Sequence, residues 1–210
     1  MIWSITKAKM FSKCQRKWFF YDVLAHARSK DPIRREAYIL KQLQTLSGWR
    51  GSLVDKVITN LIIPSVKRND LVGEDRVLEF ATGLIKEQIA FALAKKYAQP
   101  GMIKSRIGDI FCAFYDIEYD GQLNPEGLES AKEDVVTALK NLLHSSFLDE
   151  LMKREAYVVA QRPLLFNFEG VSVKCTPDLL VFYKEEYPLI VDWKVHWGNS
   201  DAWLKAIMIP

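Results

Sequence analysis

The chain has little of what marks several large protein classes. Only Cys14, Cys112 and Cys175 are cysteines. Their odd number and wide scatter exclude a disulfide framework and predict buried free thiols in a reducing cytoplasm. Histidine is equally scarce: His26, His144 and His196 stand alone, with no cysteine or histidine at zinc spacing. No uninterrupted run of 18 apolar residues occurs, so no membrane span is expected. The first residues lack the charged-then-apolar layout of a signal peptide. No Gly-x-Ser-x-Gly elbow, phosphate-binding glycine loop or dinucleotide fingerprint is present. Internal repeats, low-complexity segments and linkers are missing as well, so one domain over residues 1–210 is the economical expectation.

What remains is an ordinary globular composition, 49% hydrophobic and 26% charged. The net charge of +3 conceals an asymmetry. Residues 1–70 carry 14 Lys and Arg against 5 Asp and Glu; residues 71–210 carry 15 against 21. A basic N-terminal third suggests a footprint for a polyanion, although basic residues also simply solvate helix faces.

Periodicity and capping signals predict helices first. Ser4 is a candidate N-cap for a helix to about Ala27, and Pro32 opens a second to about Leu46. Ser47-Gly48 breaks that helix, and a third from Trp49 ends near Pro64. Gly73-Glu74-Asp75 opens a long fourth helix that stops before Pro100. Residues 101–125 give mixed signals with a short strand at 110–119, and a fifth helix follows Pro125. The character then changes from a mainly helical part, 1–150, to a β-meander over 151–210. Its strand-like runs are 157–168, 171–183 and 187–194, and a last helix is expected from Ser200.

The chemistry concentrates in the final hairpin. Pro177-Asp178 precedes the apolar run Leu179–Tyr183; Lys184-Glu185-Glu186 makes a turn; Ile190-Val191 then leads into Asp192-Trp193-Lys194. Pairing about Glu185 sets Asp178 opposite Asp192, where facing Cβ atoms lie roughly 4.5–5.5 Å apart. Lys194 leaves on the same face as Asp192, because side chains alternate along a strand. Two acids and a lysine on one patch suit a divalent metal with a cation beside it. Charged residues at strand ends are also commonly solvated, but Asp192 ends a run that reads as buried and therefore needs a partner.

Other groupings carry less. Asp116, Glu118, Asp120 and Gly121 resemble the start of a calcium loop, but its twelfth position is Gly127 where a bidentate glutamate is required. His196 follows Lys194 by two positions and could approach the hairpin. The aromatic stripe Trp18-Phe19-Phe20-Tyr21 reads as mostly core, with room for one or two stacking rings.

Three segments together resemble a known family. Pro177-Asp178 with Asp192-Trp193-Lys194 on a β-meander is similar to the signature of the PD-(D/E)xK nuclease superfamily. Cys14-Gln15-Arg16-Lys17-Trp18-Phe19-Phe20-Tyr21 resembles the N-terminal helix of its RecB-like branch, which includes nuclease domains of recombination helicases and CRISPR-associated nucleases. Arg50-Gly51-Ser52-Leu53-Val54-Asp55 resembles that branch's Gly-x-x-x-His helix. The resemblance implies an α/β, restriction-endonuclease-like core: a three-stranded antiparallel meander plus helices, with a helical N-terminal elaboration. It implies a DNA nuclease dependent on Mg²⁺ or Mn²⁺, of exonuclease or end-processing type, in DNA repair, recombination or defence. Asp178, Asp192 and Lys194 would be catalytic. Asp55, Asp178 and Asp192 would hold the metal; Arg16, Lys17 and Tyr21 would contact DNA.

The chain departs from the family pattern in three places. Asp55 stands where the family has histidine. Cys14 matches the first cysteine of the family's iron–sulfur cluster, but no C-terminal triplet follows, so no cluster is expected. The sequence ends at Ile209-Pro210, ahead of the family's Gln-x-x-x-Tyr helix and last strand, so the C-terminal part of the core is expected to be missing. A catalytically silent DNA-binding module is therefore the alternative. So is a subunit whose open edge docks on a helicase or a second copy.

Overall fold

Ser4 starts the first helix in the way its hydroxyl allows. In the computed structural model, which describes residues 2–195, Ser4 Oγ accepts from the Lys7 N–H at 3.3 Å and α1 runs Ile5–Lys13. The expected continuation to Ala27 is interrupted. Cys14 turns extended, and its thiol accepts from the Lys17 N–H at 3.4 Å, capping α2 (Gln15–Trp18). A π-helical turn over Phe19–Leu24 follows. Helix α3 spans Pro32–Gln42, with Asp31 as its N-cap.

Helix α4 begins earlier than Ser47-Gly48 suggests. Thr45 Oγ1 accepts from the Gly48 N–H at 3.1 Å, and the helix covers Leu46–Val57. A capped first turn offsets the weak helix propensity of Ser and Gly. Nor does Pro64 end the rod. A π-helical stretch at Ile58–Ile62 precedes it, and α5 continues over Ile63–Lys67. The wider turn accommodates the ring and absent N–H that would break a regular helix.

Helices α6 (Glu74–Leu93) and α7 (Lys104–Ile107) come next. The strand expected within 110–119 does not form. Phe111 and Phe114 are extended, but among the described residues the segment makes only an isolated bridge, Gln44 to Phe114, before α8 (Tyr115–Tyr119). Its aromatics pack on helices instead: Phe111 against Phe91, and Phe114 against Trp49. Helix α9 (Pro125–Leu143) is capped by Asn124, and α10 (Ser146–Lys153), which the sequence reading missed, by Ser145.

The three strand-like runs appear as five strands. These are β1 (Tyr157–Ala160), β2 (Leu164–Phe168), β3 (Val171–Cys175), β4 (Leu179–Phe182) and β5 (Leu189–Val191). They form a three-stranded sheet of order β1-β4-β5 and a two-stranded sheet of β2 and β3, all antiparallel. The expected first hairpin is nevertheless intact in register. Ala160 faces Leu179 and, four residues on, Leu164 faces Cys175. Pro163 and Pro177 sit in the gap, where each removes a ladder donor. Glu169 and Gly170, both at positive φ, close the hairpin in the conformation a two-residue turn requires. The second hairpin pairs Leu179 with Val191 and Val181 with Leu189, centred on Glu185 as expected.

One core joins these layers. Trp49, Leu53 and Val57 of α4 meet Val77 and Ala81 of α6, Val135 and Leu139 of α9, and Leu179 and Val181 of β4. An Arg50–Asp134 ion pair ties α4 to α9 within it. The protein is thus a mixed α/β fold, and among the described residues no helix is long and apolar enough to cross a membrane. The expected last helix from Ser200 and the candidate His196 lie outside the described residues.

Candidate functional site

Strand β4 is the anchor of the site. Leu179 and Val181 are fully buried, each contributing on the order of 1.5–3 kcal/mol of apolar burial. Asp178 stands immediately before this strand, where Pro177 has ended the longer ladder. Continuing the β4–β5 register by one position sets Asp178 across from Asp192, as the hairpin centre implied.

Asp178 is bonded on both sides. Its Oδ2 accepts from the Trp193 backbone N–H at 2.8 Å, extending the link to the β5 side. Its Oδ1 accepts from Gln161 Nε2 at 3.1 Å, and its backbone carbonyl accepts from the Gln161 N–H at 3.1 Å. The same Gln161 Nε2 donates to Asp55 Oδ1 at 2.8 Å. One amide nitrogen therefore lies between carboxylates from α4 and from the head of β4.

Gln161 follows β1 and adopts a left-handed φ of 50°. Such a conformation costs a non-glycine residue roughly 1–3 kcal/mol and persists only where neighbours enforce it. Here it aims the amide at the two acids. The sequence reading did not single out Gln161; the available signal was a polar residue ending an apolar run two positions before Pro163.

Asp55 is half buried, and its carboxyl is held above the usual carboxylate range. Desolvation is the main cause and the Asp178 charge the second; the Gln161 hydrogen bond, Lys56 and Lys194 pull the other way. Burial and the neighbouring carboxylate thus both disfavour a charge on Asp55.

Asp192 and Lys194 are both about half exposed and form an ion pair with each other, and Lys194 Nζ also donates to the Trp193 carbonyl at 3.2 Å. The expected trio of metal ligands is accordingly not gathered. Asp55 and Asp178 share a donor, Asp192 is drawn to Lys194, and among the described residues no three His, Cys, Asp or Glu side chains surround one point. Asp192 and Lys194 follow the end of β5, two positions apart, and their charges meet each other and not the Asp55–Asp178 pair.

A groove of about 870 Å³ opens at Asp192, lined among others by Trp3, Lys7, Phe166, Lys174 and Thr176. The N-terminal segment is sewn to β3: the Trp3 N–H donates to the Ser172 carbonyl at 3.0 Å, and the Lys174 N–H donates to the Trp3 carbonyl at 2.8 Å. Trp3 stacks on Trp18, and Phe11 meets both rings edge-on. Arg16 and Lys17 are exposed on α2, but neither lines this groove. Tyr21 does not line it either. It lies half buried beneath the Lys41 ammonium, and burial followed by the Asp22 charge pushes its hydroxyl pKa up.

The cysteines depart from expectation. Cys112 alone is buried, whereas Cys14 and Cys175 are exposed. Cys14 occupies a helix break, and Cys175 ends a two-stranded sheet in which no residue is buried among the described residues. Of the histidines, His144 Nε2 pairs with Glu74 at 2.8 Å, a link between the ends of α9 and α6. Compared with protein-family models, with characterised proteins and with solved structures, the chain matches none.

Proposed function

We propose that the protein is a metal-dependent nuclease acting on DNA, with the β1-β4-β5 sheet and its helices as a restriction-endonuclease-like core. The observation that carries the reading is the convergence of Asp55 and Asp178 on one Gln161 nitrogen, within electrostatic reach of Lys194. The donor set fits Mg²⁺ or Mn²⁺: two carboxylates that repel each other, plus an amide whose oxygen faces inward when the side chain turns over. When bound, such a cation neutralises phosphodiester oxygens and acidifies a water.

The chain's own residues do the rest. Asp55 and Asp178 hold the seat, and Gln161 bridges them. Lys194, on leaving Asp192, sets its ammonium beside the negative charge that develops on the phosphate. Asp192 is then free to turn toward the residue it faces in register. Trp3 and Phe166 offer ring faces to bases, while Lys7 and Lys174 contact backbone phosphates. Arg16 and Lys17 prolong the positive track, and Tyr21 steadies it through Lys41. Strand β5 pairs only with β4 among the described residues and exposes Leu189 and Ile190. Such an edge supports docking on a helicase or a second copy. The role that follows is exonucleolytic or end-processing work in DNA repair, recombination or defence.

The test is cleavage of labelled linear and circular, single- and double-stranded DNA with Mg²⁺ or Mn²⁺, alongside Asp178→Ala and Lys194→Ala. Metal-dependent cleavage lost in both variants is the expected result, and sparing of circular DNA marks an exonuclease. The Asp192–Lys194 pairing favours a second reading, a catalytically silent DNA-binding module. Salt-sensitive DNA binding without cleavage under either metal would select it.

A further inference from the structure

Two loops sharing no residue with the carboxylate pair form a second site. Arg35 of α3 fixes them. Its Nη1 donates to the Ala27 carbonyl at 3.0 Å, and its Nη2 donates to the carbonyls of Gln99 at 3.0 Å, Met102 at 3.1 Å and Tyr97 at 3.3 Å. One guanidinium thus holds the loop before α3 against the loop after α6. Its charge is met by carbonyl dipoles and by the Tyr38 ring, 5.1 Å away, with no carboxylate paired to it among the described residues.

Between the loops lies a pocket of about 540 Å³, within the range of small-ligand sites. Arg28, Lys30 and Arg106 line it with Arg35, and among the described residues no acid does. These three exposed cations have no ion pair or side-chain hydrogen bond among the described residues. The nearest acid in sequence, Asp31, caps α3, its Oδ1 accepting from the Ile33 N–H at 2.9 Å and the Arg34 N–H at 3.4 Å, and it does not line the pocket. The opposite character comes from Pro32, Pro100 and Ile103, which give an apolar wall. An adjoining groove of about 400 Å³ shares Arg28 and Ile103 and adds His26 and Lys41.

We infer that this pocket binds the phosphate of a nucleotide, with the sugar and base against the apolar wall. Unpaired cations around a preformed basin lower the free energy of an anion, and guanidinium groups match phosphate geometry. A bare phosphate would leave the apolar wall unused. The nucleotide is either free or the end of a strand, and both present the same phosphate ester. The inference does not depend on the nuclease reading, because it uses neither a divalent cation nor Asp178.

The experiment is fluorescence anisotropy of N-methylanthraniloyl-ADP with the full chain in EDTA, which leaves the carboxylate site without a cation. Binding is expected in the wild type and in Asp178→Asn. It should be roughly tenfold or more weaker in Arg28→Ala/Arg106→Ala. Both altered residues are exposed and unpaired, so an unchanged Tm is expected to certify the fold. Displacement by a short 5′-phosphorylated oligothymidylate identifies a strand end as the source; displacement by ADP alone identifies the free nucleotide. The inference is overturned if the wild type does not bind, if the double variant binds equally well, or if adenosine competes as effectively as ADP.

Discussion

Asp55 shows how one residue couples stability to ligand. Its carboxyl is held above the ordinary range by desolvation and by Asp178. Folding therefore favours its protonated form, and stability is lost as pH rises from the unfolded-state value through the higher folded-state one. Asp55→Asn keeps an acceptor for Gln161 and removes the charge. In EDTA near neutral pH it should raise Tm by roughly 2–4 °C, the size of about 1 kcal/mol in a chain of this length. The gain should shrink near pH 4, where protonation relieves the wild type. Adding Mg²⁺ or Mn²⁺ should reverse the order, since ligand at about 100 times its Kd stabilises by about 2.7 kcal/mol. Scanning calorimetry at two pH values, with and without metal, checks both signs.

At the scale of elements, the interrupted hairpin divides labour. Strand β4 is central and buried, whereas β2 and β3 leave Leu165, Phe166 and Phe168 exposed. Leu179→Ala should cost about 2–5 kcal/mol through lost burial and a cavity. Leu165→Ala, in the outer hairpin, should stay within about 0.5 kcal/mol. Urea unfolding of the two variants separates them; equal losses would show that β2 is as deeply packed as β4. The helices carry the same lesson. Ser4, Pro32 and Pro125 mark their starts plainly, because a cap or a first-turn proline acts within the first turn. The continuation past Pro64 was not legible, because it depends on a π-helical turn that the core beneath Ile58 and Ile62 accommodates.

Across the whole molecule, the basic N-terminal third meets the β-hairpin at Lys7 and Lys174. Replacing both by alanine should reduce the slope of log affinity for DNA against log salt by roughly 1.5, since each phosphate contact contributes about 0.7–0.9. A titration over several salt concentrations measures it. An unchanged slope would remove this groove from the DNA path.

The sequence alone determined what short-range rules govern: the helix starts at Ser4 and Pro32, the turn at Glu169-Gly170, and the register centred on Glu185 that sets Asp178 across from Asp192. Caps, turns and strand pairing act between close neighbours in the chain, so their signals survive in a linear reading. The tertiary structure decided the rest. Asp55 and Gln161 lie 106 positions apart and meet through one hydrogen bond. That contact depends on how α4 packs on the core above β4 and on the left-handed turn at Gln161. The Asp192–Lys194 pairing, by contrast, joins residues two positions apart and follows from their local placement. The meeting of Asp55 with Gln161 depends on the packed volumes and fields of the whole fold, which no local pattern encodes.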